Sequence, residues 1–262
     1  MRFTKMQGLG NDYVYINCFE EKVEAPVCLA KELSDRHFGI GADGLILICP
    51  SDQADCRMEM YNSDGTRGAM CGNGIRCVAK YAYEAGLVKQ ADMMIETDSG
   101  LHRVSCRVEK GKVLQVEVDM GIPAVGGQES FFWEGIEFLF TPVDMGNPHT
   151  VFFFDKAEFP EISAFGPAVE KSPRFPGGVN VETVRAEDAR NLSLQVWERG
   201  TGVTLACGTG ACAAFSAAKL LGLVGDTGFV KLPGGTLEIV WPGPGESLTM
   251  TGPAVEVFRG EL

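Results

Sequence analysis

Two short stretches, AMCGNGIRC (residues 69–77) and LACGTGAC (residues 205–212), place a cysteine directly before a Gly-x-Gly segment. The residues after each segment have the apolar spacing of a helix, so each cysteine is predicted to stand where a helix begins. Glycines at such a start let the backbone approach a ligand closely. The recurrence at Cys71 and Cys207 predicts that the chain contains an internal repeat.

A single shift along the sequence tests that idea. Adding 136 to the residue number superimposes stretches that lie far apart in each half, and one fixed shift that matches separated places is typical of a duplicated unit. The matching positions are Cys71 with Cys207, Gly10-Asn11 with Gly146-Asn147, Gly86-Leu87-Val88 with Gly222-Leu223-Val224, and the segment ending at Asn62 with the one ending at Glu198. We therefore predict two similar halves, residues 1–120 and 121–262, and leave open whether a C-terminal strand near 254–262 packs back on the first half.

Hydrophobic periodicity predicts the contents of each half. Apolar residues alternate with polar ones in residues 56–60, 114–118, 192–196 and 237–241, which is the pattern of half-buried strands, with Leu114 among the inward positions. After each Gly-x-Gly segment the apolar spacing becomes helical, ending at Ala85 and Leu221 respectively. A mostly apolar helix must be covered on several sides. The predicted fold class is α+β, with two pseudo-symmetric halves, each a mainly antiparallel, barrel-like sheet around a central helix.

Composition excludes several classes of function. The 262 residues carry a formal charge of −12 without a polybasic run, so neither nucleic acid nor a membrane surface is an expected partner. The N-terminal stretch MRFTKMQGLGNDY has no apolar core of a signal peptide. Nine cysteines, an odd number without framework spacing, fit the reducing cytoplasm better than a disulfide scaffold. We expect a soluble cytoplasmic protein whose cysteines are mostly buried and inert.

The two cysteines at the helix starts are the expected exceptions. The unpaired N–H groups and the positive end of the helix dipole favour a thiolate there, and the same N–H groups can bind a carboxylate. A reactive sulfur beside a carboxylate site suits proton transfer at the α-carbon of an amino acid. If Cys71 and Cys207 face one α-carbon, one sulfur removes a proton and the other returns one to the opposite face, which inverts the centre without a cofactor.

Other interpretations of these motifs are weaker. The pairs Cys71/Cys77 and Cys207/Cys212 are separated on a helix by rotations of about 240° and 140°, so neither pair converges on a metal ion. A disulfide between Cys71 and Cys207 is left open, although the cytoplasmic composition disfavours it. The stretch GIGADG (39–44) fits a dinucleotide motif, but a strand-like run follows it where that motif requires a helix.

Taken together, these stretches resemble the diaminopimelate epimerase family, whose members invert one α-carbon of L,L-diaminopimelate to give the meso form. The resemblance runs through the whole chain in family order. It is carried by MQGLGNDYVYIN (6–17), FGIGADGLI (38–46), YNSDGTRGAMCGNGIRC (61–77), DMGNPHTVFF (144–153), GVNVETV (178–184), WERGTGVTLACGTGACA (197–213) and GPAVEVFRGEL (252–262). The resemblance implies a cofactor-independent isomerase of lysine and cell-wall precursor biosynthesis, a cytoplasmic homodimer with its active site between the two halves.

The resemblance also implies roles for individual positions. Cys71 and Cys207 would be the catalytic acid and base, and His149 and Glu198 would support catalysis. The substrate-binding positions would be Asn11, Asn62, Gly72, Asn73, Asn147, Asn180, Glu198, Arg199, Gly208 and Thr209. A substrate with two ammonium and two carboxylate groups suits such a set, because amides donate and accept while a carboxylate and an arginine bind opposite charges.

Two departures and two alternatives accompany this prediction. Gly44 stands where some members of the family carry a substrate-binding glutamine, and Tyr13 stands where phenylalanine is more usual. The alternatives are a related cysteine-pair racemase acting on another amino acid and, less favoured, a non-catalytic amino-acid binding protein. We favour the enzyme because two reactive thiols would be a liability in a pure binder.

Overall fold

The computed structural model describes residues 1–154 and 160–262. Contacts divide the chain into two compact units, Met1–Asp119 with Thr251–Leu262, and Met120–Met250. The described residues form 19 strands and four helices, so the predicted α+β class is confirmed. No helix in these described residues is long and apolar enough to cross a membrane.

The first unit surrounds helix α2 with strands. Its elements are β1 (Arg2–Gly8), β2 (Asn11–Asn17), α1 (Pro26–Ser34), β3 (Gly44–Cys49), β4 (Cys56–Asn62), β5 (Arg67–Gly68), α2 (Gly72–Glu84), β6 (Asp92–Thr97), β7 (Gly100–Glu109), β8 (Lys112–Asp119) and β19 (Val255–Glu261). Helix α2 contacts β1–β4 and β6–β8, while α1 packs on β2–β4. Most neighbouring strands are antiparallel, including β1 with β19, whereas β2 pairs with β3 and β4 with β6 in parallel.

The second unit repeats this order of elements. It contains β9 (Ala124–Val125), β10 (Glu129–Trp133), β11 (Ile136–Asp144), β12 (Pro148–Phe153), α3 (Ile162–Glu170), β13 (Asn180–Asp188), β14 (Asn191–Glu198), β15 (Gly202–Thr204), α4 (Gly208–Leu220), β16 (Thr227–Leu232) and β17 (Gly235–Val240). Strand β18 (Thr249–Gly252) crosses the boundary between the units. Helix α4 contacts β9, β11–β14, β16 and β17. The parallel strand pairs of the second unit, β12 with β13 and β14 with β16, correspond to those of the first unit.

Strand register shows how closely the second unit repeats the first. Adding 136 to the bounds of α1 and α2 gives the bounds of α3 and α4. Tyr13 is opposite Gly44 on the β2–β3 pair, and the shifted residues His149 and Asn180 are opposite each other on β12 and β13. The backbone scaffold that carries the candidate site residues is therefore duplicated residue by residue.

Three positions that belong to the predicted apolar patterns are exposed. Leu114 lies in β8 at a bulge, where Arg107 pairs with Gln115 but Val108 pairs with Val113. The extra residue turns outward, leaving Leu114 55% exposed. Ala85 and Leu221 are the C-terminal caps of α2 and α4, beyond the part of each helix that the sheet covers.

Candidate active site

Both cysteines cap their helices in the same way. Cys71 precedes α2 with an extended backbone, and its Sγ accepts a hydrogen bond from the Gly74 N–H at 3.4 Å. Cys207 precedes α4 with nearly the same dihedral angles, and its Sγ accepts from the Gly210 N–H at 3.3 Å. A sulfur at this position lies at the positive end of the helix dipole, which favours a thiolate. The expected placement of the two cysteines at helix starts is confirmed.

A side chain on the third residue after each cysteine would meet a different neighbour in each unit. A Cβ on Gly74 would lie 2.7 Å from Ile46 Cδ1, and one on Gly210 would lie 2.9 Å from Glu182 Oε1. Ile46 and Glu182 are equivalent under the shift of 136, since they occupy the same register on β3 and β13. The two helix starts therefore rest on different side chains, one a hydrocarbon and the other a carboxylate.

Around Cys71 the polar partners are neutral amides supported by charges. The Cys71 thiol donates to Asn11 Oδ1 at 3.3 Å. Asn11 Nδ2 donates to Asp43 Oδ2 at 2.8 Å, which fixes the orientation of the amide, and Arg36 donates to Asp43 Oδ1 at 2.9 Å. The structure thus brings Asn11 and Cys71 together and holds the amide oxygen toward the sulfur.

A buried arginine stabilises the start of α2 through hydrogen bonds. Arg76 is fully buried within α2, and its guanidinium donates to Asn73 Oδ1 at 2.9 Å and to the Gly72 carbonyl at 3.0 Å. It also donates to the Pro253 carbonyl at 3.2 Å. The side chain of Asn73 therefore helps to stabilise the first turn of α2.

Asn62 lies at the end of β4, where its Nδ2 donates to Thr66 Oγ1 at 2.9 Å.

Tyr13 completes the surroundings of Cys71. Its side chain is 5% exposed, and its hydroxyl interacts with the side chains of Asn11 and Cys71. Burial raises the pKa of Tyr13 well above its usual value, and the charge that Cys71 would carry as a thiolate raises this pKa further. Tyr13 is therefore a neutral hydroxyl at any physiological pH.

An ionisable pair stands at the equivalent place in the second unit. His149, the counterpart of Tyr13, has its Nδ1 2.7 Å from Glu182 Oε1, and neither side chain is exposed. The Nε2 of His149 lies 3.0 Å from Asn147 Oδ1. The structure thus brings His149 and Asn147 together, and it adds Glu182 to them.

The remaining predicted residues of this unit lie on β13, on β14 and at the start of α4. Asn180 Nδ2 donates to the Pro148 carbonyl at 2.9 Å, and its Oδ1 accepts from the Arg199 N–H at 2.9 Å. Glu198 Oε1 accepts from Thr204 Oγ1 at 2.6 Å. Thr209 Oγ1 lies 3.5 Å from Cys207 Sγ, on the first turn of α4 with Gly208.

Electrostatics around Cys207 oppose a thiolate in the free protein. Burial raises the pKa of Cys207 well above its usual value, and the charges of Glu198 and Glu182 raise it further. Hydrogen bonds from Thr209 and the Gly210 N–H act in the opposite direction. Cys207 is therefore held as a thiol, the form that a general acid requires.

Sequence comparison identifies the family that carries this arrangement. The sequence profile described as diaminopimelate epimerase matches residues 3–125 and 141–257. The diaminopimelate epimerase of Acetivibrio thermocellus is 48% identical over 275 residues, covering 100% of this chain and 98% of the relative. That of Geobacillus thermodenitrificans is 49% identical, covering 98% and 95%, and that of Methanococcus maripaludis is 46% identical, covering 100% and 99%. The chain belongs to the diaminopimelate epimerase family.

Solved structures place the family's fold in a wider group. A hydroxyproline epimerase from Agrobacterium vitis, crystallised with trans-4-hydroxy-L-proline, superimposes with a TM-score of 0.73 at 17% identity, covering 99% of this chain and 91% of that one. A phenazine biosynthesis protein of the PhzF family from Bacillus anthracis gives 0.76 at 12% identity, covering 100% and 98%. At these identities the comparison supports the shared fold alone.

One departure from the family pattern has a packing cause. A Cβ on Gly44 would lie 2.1 Å from the Tyr61 carbonyl oxygen and 2.9 Å from Tyr13 Cε1. The backbone of β3 therefore leaves no room for the glutamine side chain that some diaminopimelate epimerases carry there.

Sequence reasoning missed three supporting residues, namely Asp43, Arg76 and Glu182. Asp43 and Arg76 lie within the motifs that carry the resemblance to the family, but nothing in a single sequence shows what they contact. Glu182 had a usable signal, because it is the one charged residue in the otherwise uncharged strand segment GVNVETV. A charge in such a segment is buried only with a partner. Among the described residues no group of three or more His, Cys, Asp and Glu side chains could hold a metal ion.

Proposed function

We propose that the protein inverts one α-carbon of L,L-diaminopimelate to give meso-diaminopimelate, with Cys71 and Cys207 as the two acid–base groups and no cofactor. The observation that carries this proposal is the repeated cap, in which each Sγ accepts the N–H of the third following residue. Two equivalent sulfurs at two helix starts suit a reaction that removes a proton from one face of a carbon and adds one to the other.

The chemistry depends on stabilising negative charge on the substrate carboxylate. An α-proton beside an ionised carboxylate is a very weak acid, and its removal transfers charge to the carboxylate oxygens. Backbone N–H groups of Gly72-Asn73 and Gly208-Thr209 would bind these oxygens most strongly as that charge develops. One thiolate takes the proton, and the S–H bond of the other cysteine breaks as the new C–H bond forms.

Specificity would come from charged and amide groups around the sulfurs. Glu198 suits a substrate ammonium, and the exposed Arg199 suits a carboxylate in bidentate geometry. The amides of Asn11, Asn62, Asn147 and Asn180 can each donate and accept. His149 and Glu198 would support proton transfer at the second helix start, because the charge of Glu198 acts on Cys207 and His149 lies on β12, which α4 contacts.

The biological setting follows from the same assignment. A diaminopimelate epimerase serves lysine and cell-wall precursor biosynthesis, so we expect a cytoplasmic enzyme whose partner is a small molecule and not nucleic acid or a membrane. We also expect a homodimer, on the resemblance to the family. Size-exclusion chromatography with light scattering tests this last expectation.

Incubation with L,L-diaminopimelate under reducing conditions tests the activity. Chiral analysis should show approach to a mixture with the meso isomer, and in deuterated water the product should carry deuterium at the inverted carbon. A Cys28→Ala variant, which removes an exposed cysteine on α1, should keep the activity. Absence of the meso isomer would contradict the proposal, and inversion of another amino acid instead would favour a related racemase.

A further inference from the structure

Glu182 has no role in the mechanism described so far, yet its position is costly. It lies on β13, is fully buried, and occupies the place that the hydrocarbon of Ile46 fills in the first unit. Its Oε1 would be 2.9 Å from a Cβ on Gly210, so the carboxylate lies directly beneath the first turn of α4. If this position served only to fill the core, an isoleucine such as Ile46 at the equivalent position of the first unit would be sufficient.

The polar contacts of Glu182 are the His149 ring and the Thr150 backbone N–H. Its Oε1 meets His149 Nδ1 at 2.7 Å, while its Oε2 is buried and has no hydrogen-bond partner among the residues that the structure describes. An unsatisfied buried oxygen of this kind typically costs about 1–3 kcal/mol. The cost indicates a function beyond stability, since replacing both members of such a buried pair with hydrocarbons is often neutral or stabilising.

Three ionisable groups on neighbouring elements interact electrostatically with Glu182. These are His149 on β12, Glu198 on β14 and Cys207 at the start of α4. Burial raises the pKa of Glu182, and His149 acts in the opposite direction. The charge of Glu198 raises this pKa further, so the hydrogen bonds from His149 and the Thr150 N–H are what favour the carboxylate form.

We propose, on the basis of the function proposed above, that Glu182 is a positioning residue that keeps Cys207 as the proton-bearing thiol of the free enzyme. The ionised carboxylate accepts the Nδ1–H of His149, which fixes the ring, and its negative charge beneath the turn disfavours a thiolate at Cys207. When the S–H bond of Cys207 breaks and its proton joins the substrate carbon, the electron pair stays on sulfur beside that charge. The charge therefore opposes this transfer and makes a Cys207 thiolate the stronger base for the reverse transfer, in which it takes the α-proton from carbon. At the equivalent place beneath the first turn of α2 lies the hydrocarbon side chain of Ile46.

Alkylation by iodoacetamide measures the effect without any turnover. Alkylation rates are measured for each cysteine by peptide mapping between pH 6.5 and 10.5, so one sample gives the thiol–thiolate midpoints of both Cys207 and Cys71. Access to the sulfur changes the rate of alkylation but not the pH of its midpoint. In Glu182→Gln the midpoint of Cys207 should fall by about one pH unit, a tenfold change in the proton equilibrium, because the opposing charge is gone. The midpoint of Cys71 should stay unchanged.

Two further variants separate charge from structure. Glu182→Asp, which keeps the charge, should restore most of the wild-type midpoint. Glu187→Gln removes a charge from the exposed end of the same strand, where Glu187 pairs with Arg185, and should leave the Cys207 midpoint unchanged. An unchanged midpoint in Glu182→Gln, or an equal shift in Glu187→Gln, overturns the proposal.

The wild-type protein offers a test that needs no variant to fold. The chain has only three histidines, so ¹⁵N-histidine NMR spectra can be assigned with His37 and His102 as internal references. We expect His149 Nδ1 to carry the proton that Glu182 accepts, and an Nδ1 without a proton would overturn the proposal. If diaminopimelate were not turned over but the Cys207 midpoint still shifted in Glu182→Gln, the proposed function alone would fail.

Discussion

The start of α2 and the start of α4 share a backbone and differ in what lies beneath them. At Cys71 the sulfur has a neutral tyrosine hydroxyl and an isoleucine as neighbours, whereas the equivalent places at Cys207 hold a histidine and a buried glutamate. The same backbone arrangement is therefore surrounded by neutral groups in one unit and by ionisable groups in the other. A reaction that needs one acid and one base at a time can use that difference.

The largest expected effect separates the two sulfurs directly. Cys71→Ala and Cys207→Ala should each abolish epimerisation, because inversion needs a base on one face and an acid on the other. Each variant should still eliminate a leaving group β to the reacting carbon of a diaminopimelate analogue, since elimination needs only removal of the α-proton. The two variants should prefer opposite α-configurations, measured by the rate of release of the leaving group. A shared preference would place both sulfurs on one face.

The second effect concerns the residues assigned to the far end of the substrate. Alanine and lysine lack one or both of the distal groups that Asn62, Asn147, Asn180 and Arg199 are proposed to bind, so they leave polar partners unpaired. Such mismatches can reduce kcat/KM on the order of 10⁴-fold. Comparable turnover of lysine and diaminopimelate, measured by exchange of the α-proton, would remove these residues from the distal site.

The third effect compares the two glycines that follow the cysteines. Gly74→Ala meets the flexible end of Ile46, which can rotate away, so the free energy of unfolding should change by less than about 1 kcal/mol. Gly210→Ala meets Glu182, which His149 holds in place, and should destabilise the fold by about 1–3 kcal/mol. Urea denaturation of both variants checks this, and equal losses would mean that the carboxylate is no more rigid than the isoleucine.

The smallest effect concerns the counterpart of His149. Tyr13→Phe removes one neutral hydrogen bond, which is worth about 1 kcal/mol, and should lower kcat/KM about fivefold. His149→Phe should lower it far more, because it leaves Glu182 buried without its partner. Steady-state kinetics of the two variants side by side provide the measurement. Similar losses would show that the two positions contribute equally despite their chemistry.

Local patterns predicted the parts of the molecule that depend on neighbours in sequence. The helices after Cys71 and Cys207 follow from spacing within a dozen residues, and the duplication made the same prediction twice. Helices α1 and α3 were not predicted, although they occupy equivalent positions and cover the outer side of β3 and β13. Their apolar faces are short and are defined mainly by the sheets on which they pack.

Long-range contacts explain what sequence reasoning could not reach in the candidate site. Asn11 meets Cys71 across 60 residues, and His149 meets Glu182 across 33, so neither contact has a local signature. The bulge that turns Leu114 outward is likewise set by the partner strand. The choice of a buried glutamate against an isoleucine becomes interpretable only when both are seen beneath equivalent helix turns.

The pairing of β1 with β19 has a consequence for synthesis on the ribosome. Arg2 is opposite Glu261 and Gln7 is opposite Val255, so the first strand made must wait for a partner that follows the whole second unit. At typical rates of translation that interval is on the order of tens of seconds. The second unit, whose residues are contiguous, can fold on emergence, whereas the first unit is begun earlier and completed later. During that interval one edge of β1 lacks its native partner, and an unpaired strand edge is a template for pairing with another chain.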